Sequence, residues 1–192
     1  MTLVLLPVLA GLASALRLEE PIVIQRPLEK VEWGDVLLEY DATQPPPGNV
    51  TVTVDLRVFH HSRLSSETLK IYMELSEEWQ DGRLIFQHNP ATVTLPRGVE
   101  IWRPETWIRD GMEDRTERET LRIHPRDGTV THRSIRTVEI PRRGGEKENC
   151  PLVFSSFTDV SSRVDYAMRR VDAPHLNSTV TPSGVVFSLG LL

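Results

Sequence analysis

The chain has 192 residues, of which 27 are acidic and 22 basic, a net charge of −5, with 39% hydrophobic and 26% charged residues. These proportions describe a globular domain long enough to bury its own core, and the acidic balance argues against a nucleic-acid-binding surface. No run reaches the ~18–20 consecutive apolar residues that span a bilayer, so no transmembrane helix is expected.

The first fifteen residues, MTLVLLPVLAGLASA, form an uncharged apolar run ending in Ala13-Ser14-Ala15. Small residues at that spacing mark a signal-peptide cleavage site, which predicts a signal over 1–15, a single domain over 16–192 and an extracellular or secreted protein. No Lys or Arg precedes the run, and a buried strand or helix is the alternative reading. Asn49-Val50-Thr51 and Asn177-Ser178-Thr179 are glycosylation acceptors that agree with the secretory route. Cys150 is the one cysteine, so no intrachain disulfide can form.

From Pro27 to Asp41, loosely helical spacing of Leu28, Val31, Leu37 and Leu38 predicts a short amphipathic helix, ended by Pro45-Pro46-Pro47-Gly48. The period then becomes two. Val50, Val52, Val54, Leu56 and Val58 alternate with polar residues, and Leu69, Ile71, Met73 and Leu75 repeat the pattern, giving two strands with one apolar face each. Shorter strands are predicted at Leu84–Phe86, Thr92–Leu95, Leu121–His124 and Thr129–Ile140, with Asp127-Gly128 as a hairpin turn. Many short strands separated by turn signals predict an all-β, antiparallel, immunoglobulin-like sandwich.

The stretches Trp79-Gln80-Asp81-Gly82-Arg83-Leu84, Ile101-Trp102-Arg103-Pro104-Glu105-Thr106 and Leu121-Arg122-Ile123 through Asp127-Gly128-Thr129 carry a resemblance. In order and spacing they are similar to the W-x-D-x-R-L, W-x-P-D and L-R-I-x-x-x-G-T stretches of the Cys-loop receptors, the pentameric neurotransmitter-gated ion channels, and most to the GABA-, glycine- and glutamate-gated branch. The resemblance covers about Pro27 to Phe157. It implies a ten-or-so-stranded sandwich with a short N-terminal helix, a C-terminally incomplete ligand-binding domain, and assembly with homologous subunits around a small amino-acid or amine transmitter. Trp79 and Trp102 then fall on core framework positions, while Asp81, Arg83 and Glu105 resemble framework charges that tie loops together. Cys150-Pro151 is similar to the start of the family's signature loop, with Val164 where the second cysteine belongs.

The resemblance also implies a transmitter site between subunits. Trp107 falls on a cage-aromatic position, where a ring face attracts an ammonium group, and core packing is its plainer reading. Arg122 matches a carboxylate-binding arginine, suited by its two-pronged donor geometry, and Ser134 stands near a hydroxyl position. Glu74 occupies a place where the family has an aromatic, and a surface pair with Arg122 is its plainer role. Such a site is degenerate, so the alternative function is a non-binding protein that assembles with or sequesters receptor subunits.

His60 and His61 are adjacent on a strand and point to opposite faces, so they do not chelate one metal. No catalytic motif is present, neither a phosphate-cradling Gly-rich loop nor H-E-x-x-H nor G-x-S-x-G, and neither enzymatic activity nor a cofactor is expected.

Overall fold

The computed structural model describes residues 30–65, 67–88, 91–109, 111–141, 148–156 and 163–189. The signal segment lies outside them. Ten strands are described: β1 (Val50–Arg63), β2 (Thr68–Gln80), β3 (Val93–Thr94), β4 (Thr106–Arg109), β5 (Glu113–His124), β6 (Thr129–Pro141), β7 (Glu148–Ser156), β8 (Val164–Asp172), β9 (Asn177–Thr181) and β10 (Gly184–Leu189). They form a six-stranded sheet in the order β3-β5-β6-β2-β1-β8 and a four-stranded sheet in the order β4-β7-β10-β9. Every pair is antiparallel except β1 with β8, which run parallel.

The sandwich follows from the period-two pattern. Val52, Val54, Leu56, Leu69, Ile71, Met73 and Leu75 are fully or almost fully buried, and Leu152, Phe154, Val185 and Phe187 face them from the smaller sheet. Trp79 and Trp102 lie in this core, edge to face at 87° with ring centroids 6.1 Å apart.

Three local expectations change. The helix shrinks to one turn, Trp33–Val36, because no side chain caps its N-terminus, Gly34 weakens its interior, and none of its residues is buried. Leu84–Phe86 is not a strand: the Asp81 carboxylate accepts the Arg83 backbone N–H and caps a 3-10 turn over Gly82–Leu84. Cys150 opens no loop but sits within β7, buried opposite Phe187, whereas Val164 begins β8 opposite Val50 in the other sheet. Alternation of Cys150, Leu152, Phe154 and Ser156 toward the core is what makes that stretch a strand.

The Asp127-Gly128 turn is present, with Gly128 at φ 71° and packed so closely that a Cβ there would run into the Asp81 carbonyl. Asp81 is the hub of this end of the sandwich. It is fully buried, takes Arg83 through Nε at 2.8 Å and Nη2 at 2.7 Å, and accepts the Tyr40 hydroxyl at 2.7 Å. Arg83 also donates to the carbonyls of Asp41 and Gln44 and stacks 4.4 Å over the Tyr40 ring, while Tyr40 accepts the Trp102 backbone N–H. Burial, then the Asp81 bond, push the Tyr40 hydroxyl well above the usual tyrosine range, which keeps it a donor. Asp81 and Arg83 thus tie loops together as expected. Glu105 does not: it is exposed, at φ 43°, with no ion pair among the described residues.

Candidate functional site

The register distributes the four expected ligand-binding residues over three surfaces. Trp107 lies on β4, an edge of the four-stranded sheet, 40% exposed and opposite Ser155. Arg122 lies exposed on the outer face of β5, opposite Thr131, which in turn is opposite Glu78. Glu74 shares that outer face but four residues along, opposite Ile135, roughly 13 Å from the Arg122 row at ~3.3 Å per residue. Its cationic neighbour is Arg133, at 3.9 Å, and not the expected Arg122. Ser134 is corrected most. Its Cα partner is Leu75, so it faces the core, where its Oγ accepts from Arg136 Nε at 3.0 Å.

Ser134 leads instead to a polar cluster inside the sandwich. Along β6 the inward positions read Val130, His132, Ser134, Arg136, Val138, Ile140, so three polar residues interrupt an apolar face. Glu77 on β2 is opposite His132 and 1% exposed. Its Oε2 meets His132 Nδ1 at 2.9 Å and lies 3.9 Å from Arg136 Nη2. The other imidazole nitrogen lies 3.2 Å from Glu119 Oε2 on β5, and Glu119 holds Arg103 at 3.1 Å. Each imidazole nitrogen of His132 therefore faces one carboxylate oxygen, Nδ1 that of Glu77 and Nε2 that of Glu119.

Arg136 donates through Nη1 to the Thr106 carbonyl at 3.2 Å and to Asp114 at 3.1 Å. Burial opposes the charge on Glu77, but the His132 bond and the charges of His132 and Arg136 outweigh it and hold the carboxyl below its usual range. Asp114 is shifted the other way, upward, because burial there outweighs Arg136. The cluster floors a cavity of about 540 Å³ beneath the segment Glu100 to Thr106, and that segment is anchored from below by Ser156 Oγ donating to the Pro104 carbonyl at 2.7 Å. Glu77, His132, Glu119 and Arg136 are not among the residues the motifs single out. For Glu77, His132 and Arg136 the signal was available by counting, since each of the two inward-facing strand rows carries charge where the pattern demands an apolar residue, whereas Glu119 is exposed on β5 and gives no such signal.

The fold and these surfaces define a class, an all-β two-sheet domain whose exposed aromatic and arginine lie on different sheets. Residues 31–141, more than half of the chain, match the model of the neurotransmitter-gated ion-channel ligand binding domain. The chain belongs to that family, which is a channel domain and not an enzyme family. No curated protein matches the chain. Among the described residues no helix is long and apolar enough to cross a membrane.

Proposed function

We propose that this chain is the extracellular ligand-binding domain of a neurotransmitter-gated channel subunit, or a soluble homologue of one, with a degenerate transmitter site. The observation that carries the reading is the placement of Trp107 and Arg122, each exposed and on opposite sheets, so that one small ligand reaches both only when two copies meet. In a pentamer of homologous subunits the ring would face the amine and the guanidinium the carboxylate of an amino-acid transmitter, as in the GABA/glycine/glutamate branch. Asn49 and Asn177 are both exposed, which supports glycosylation after removal of a signal over 1–15.

Degeneracy is supported by Glu74, a carboxylate in place of a cage aromatic, and by the hairpin β9–β10. Thr181 pairs with Gly184, so only Pro182 and Ser183 join those strands and no long segment between them is left to fold over a ligand. The same two features favour the second reading, a protein that assembles with subunits without binding transmitter. Calorimetric titration with GABA, glycine, glutamate and a biogenic amine separates the two. The first reading expects binding that weakens by about ten- to a hundredfold in Arg122→Ala and tightens in Glu74→Tyr. No heat at millimolar ligand, unchanged in Glu74→Tyr, leaves the non-binding reading.

A further inference from the structure

Thr106 belongs to the four-stranded sheet through β4, yet the six-stranded sheet holds it by both its carbonyl and its hydroxyl. The carbonyl accepts from Arg136 Nη1 on β6 at 3.2 Å. The hydroxyl donates to the buried carboxylate of Glu77 on β2 and meets the Tyr166 hydroxyl on β8 at 2.7 Å. Burial pushes the Tyr166 hydroxyl well above the usual tyrosine range, so it stays protonated and is the donor of that pair. The Arg136 guanidinium is itself fixed, by Ser134 at 3.0 Å and Asp114 at 3.1 Å, and Glu77 is fixed by His132 at 2.9 Å. Glu105, whose φ of 43° is unfavourable for a residue with a side chain, is pinned on either side: Ser156 Oγ holds the Pro104 carbonyl at 2.7 Å and Arg136 holds that of Thr106. A left-handed residue other than glycine persists where its surroundings over-determine it, and such residues gather at ligand clamps.

We infer that Glu77, Arg136 and Tyr166 are positioning residues for Trp107: by tying Thr106 to the six-stranded sheet they fix which face of β4 the next side chain takes and where its ring stands. Successive strand residues point to opposite faces, so anchoring Thr106 inward directs Trp107 outward, where the ring is 40% exposed. β4 is four residues long and lies at the edge of its sheet with β7 as its neighbour, so its own ladder does little to hold that register. The buried charges thereby have a use that apolar packing would not supply, a directional tie between two sheets at the residue before Trp107. Their role in ligand recognition rests on the transmitter-site reading above, whereas the placement of the ring does not.

The test uses the full chain labelled with 5-fluorotryptophan, the fluorine signal of Trp107 being the one that Trp107→Phe removes. Thr106→Val and Tyr166→Phe each delete one hydroxyl, and Arg136→Met deletes the guanidinium; all three should move or split the Trp107 signal. Asp81→Asn, which loosens the hub with Tyr40 and Arg83 and touches none of these bonds, should leave it in place, so that lost stability is told apart from lost placement. The second arm is titration with GABA, glycine, glutamate and a biogenic amine. For a ligand that binds the wild type, Thr106→Val should weaken binding roughly three- to tenfold, and Thr106→Val/Trp107→Ala should bind no more weakly than Trp107→Ala alone. If none binds, the transmitter reading falls and the fluorine signal still decides the placement. An unmoved Trp107 signal in both Thr106→Val and Tyr166→Phe, or an equal movement in Asp81→Asn, overturns the inference.

Discussion

Replacing Asp81 by Asn removes one charge while keeping the side chain's shape, and the structure says how much should be lost. Asp81 takes four bonds: two from the Arg83 guanidinium at 2.8 and 2.7 Å, one from the Tyr40 hydroxyl at 2.7 Å, and one from the Arg83 backbone N–H at 3.1 Å. Breaking a fully buried ion pair costs ~3–5 kcal/mol, but the Arg83 side chain is 25% exposed, so water recovers part of its solvation. An intermediate loss of about 2–3 kcal/mol follows, which in a domain of this size lowers Tm by roughly 5–10 °C. Urea unfolding of Asp81→Asn, Arg83→Met and the double variant measures it, with a coupling of at least ~1 kcal/mol expected from the cycle. Hydrogen exchange should also rise in the segment from Tyr40 to Gln44, which Arg83 and Asp81 pin to the sandwich. A loss below ~0.5 kcal/mol with no coupling would falsify the view of Asp81 as the hub of this end.

Ser134→Ala should leave transmitter affinity unchanged, since the side chain faces the core, while costing about 1 kcal/mol of stability through the lost Arg136 bond; a weakened ligand titration with unchanged stability would refute that placement. Glu77 gives a pH dependence with a defined sign. Its folded pKa is depressed below the usual 4.5, so its stabilisation is present above that value and is lost as pH falls through the folded value. The urea midpoint of the wild type should therefore fall more steeply between pH 5 and 3 than that of Glu77→Gln, on the order-of-magnitude window linkage sets, and parallel curves would contradict the ion-pair geometry.

Period-two alternation located β1 and β2 because each strand buries one face against a second sheet, and the tryptophan and Asp81/Arg83 motifs located the hub. The Glu113–Thr120 part of β5 was not legible, since all but Thr120 are exposed and no apolar alternation marks it; backbone pairing with β6 alone makes it a strand. The four-stranded sheet was read least. Three of its strands lie beyond residue 141, where the family match ends, and β7 declares itself only through Cys150, Leu152 and Phe154. Ser134, expected near a hydroxyl position, falls on the inward face opposite Leu75, and one register position decides which side of a strand a residue occupies. The bulge between Thr116 and Arg118 breaks the β5 alternation between the expected site residues and the start of the strand.

The buried cluster then poses a question of purpose that stability alone does not answer. Glu77, His132 and Arg136 occupy inward positions on neighbouring strands, where apolar residues would pack against Leu75, Val130 and Val138. Desolvating such a group generally offsets most of its Coulombic gain, and replacing a buried ionic triad by apolar residues of similar size is often neutral or stabilising by ~1–4 kcal/mol. Glu77→Leu alone should cost about 3 kcal/mol, because His132 and Arg136 then lose the carboxylate between them. The triple variant Glu77→Leu/His132→Leu/Arg136→Leu removes the whole set, and the Asp114 carboxylate that Arg136 leaves behind is already 28% exposed to water. It should therefore unfold at a higher urea concentration than the single variant and close to the wild type, while losing the Arg136 bond that holds the Thr106 carbonyl. If the triple variant is the least stable of the three proteins, the cluster is a structural necessity of the sandwich; if it is as stable as the wild type, its charges are kept for what they hold beneath Glu100–Thr106.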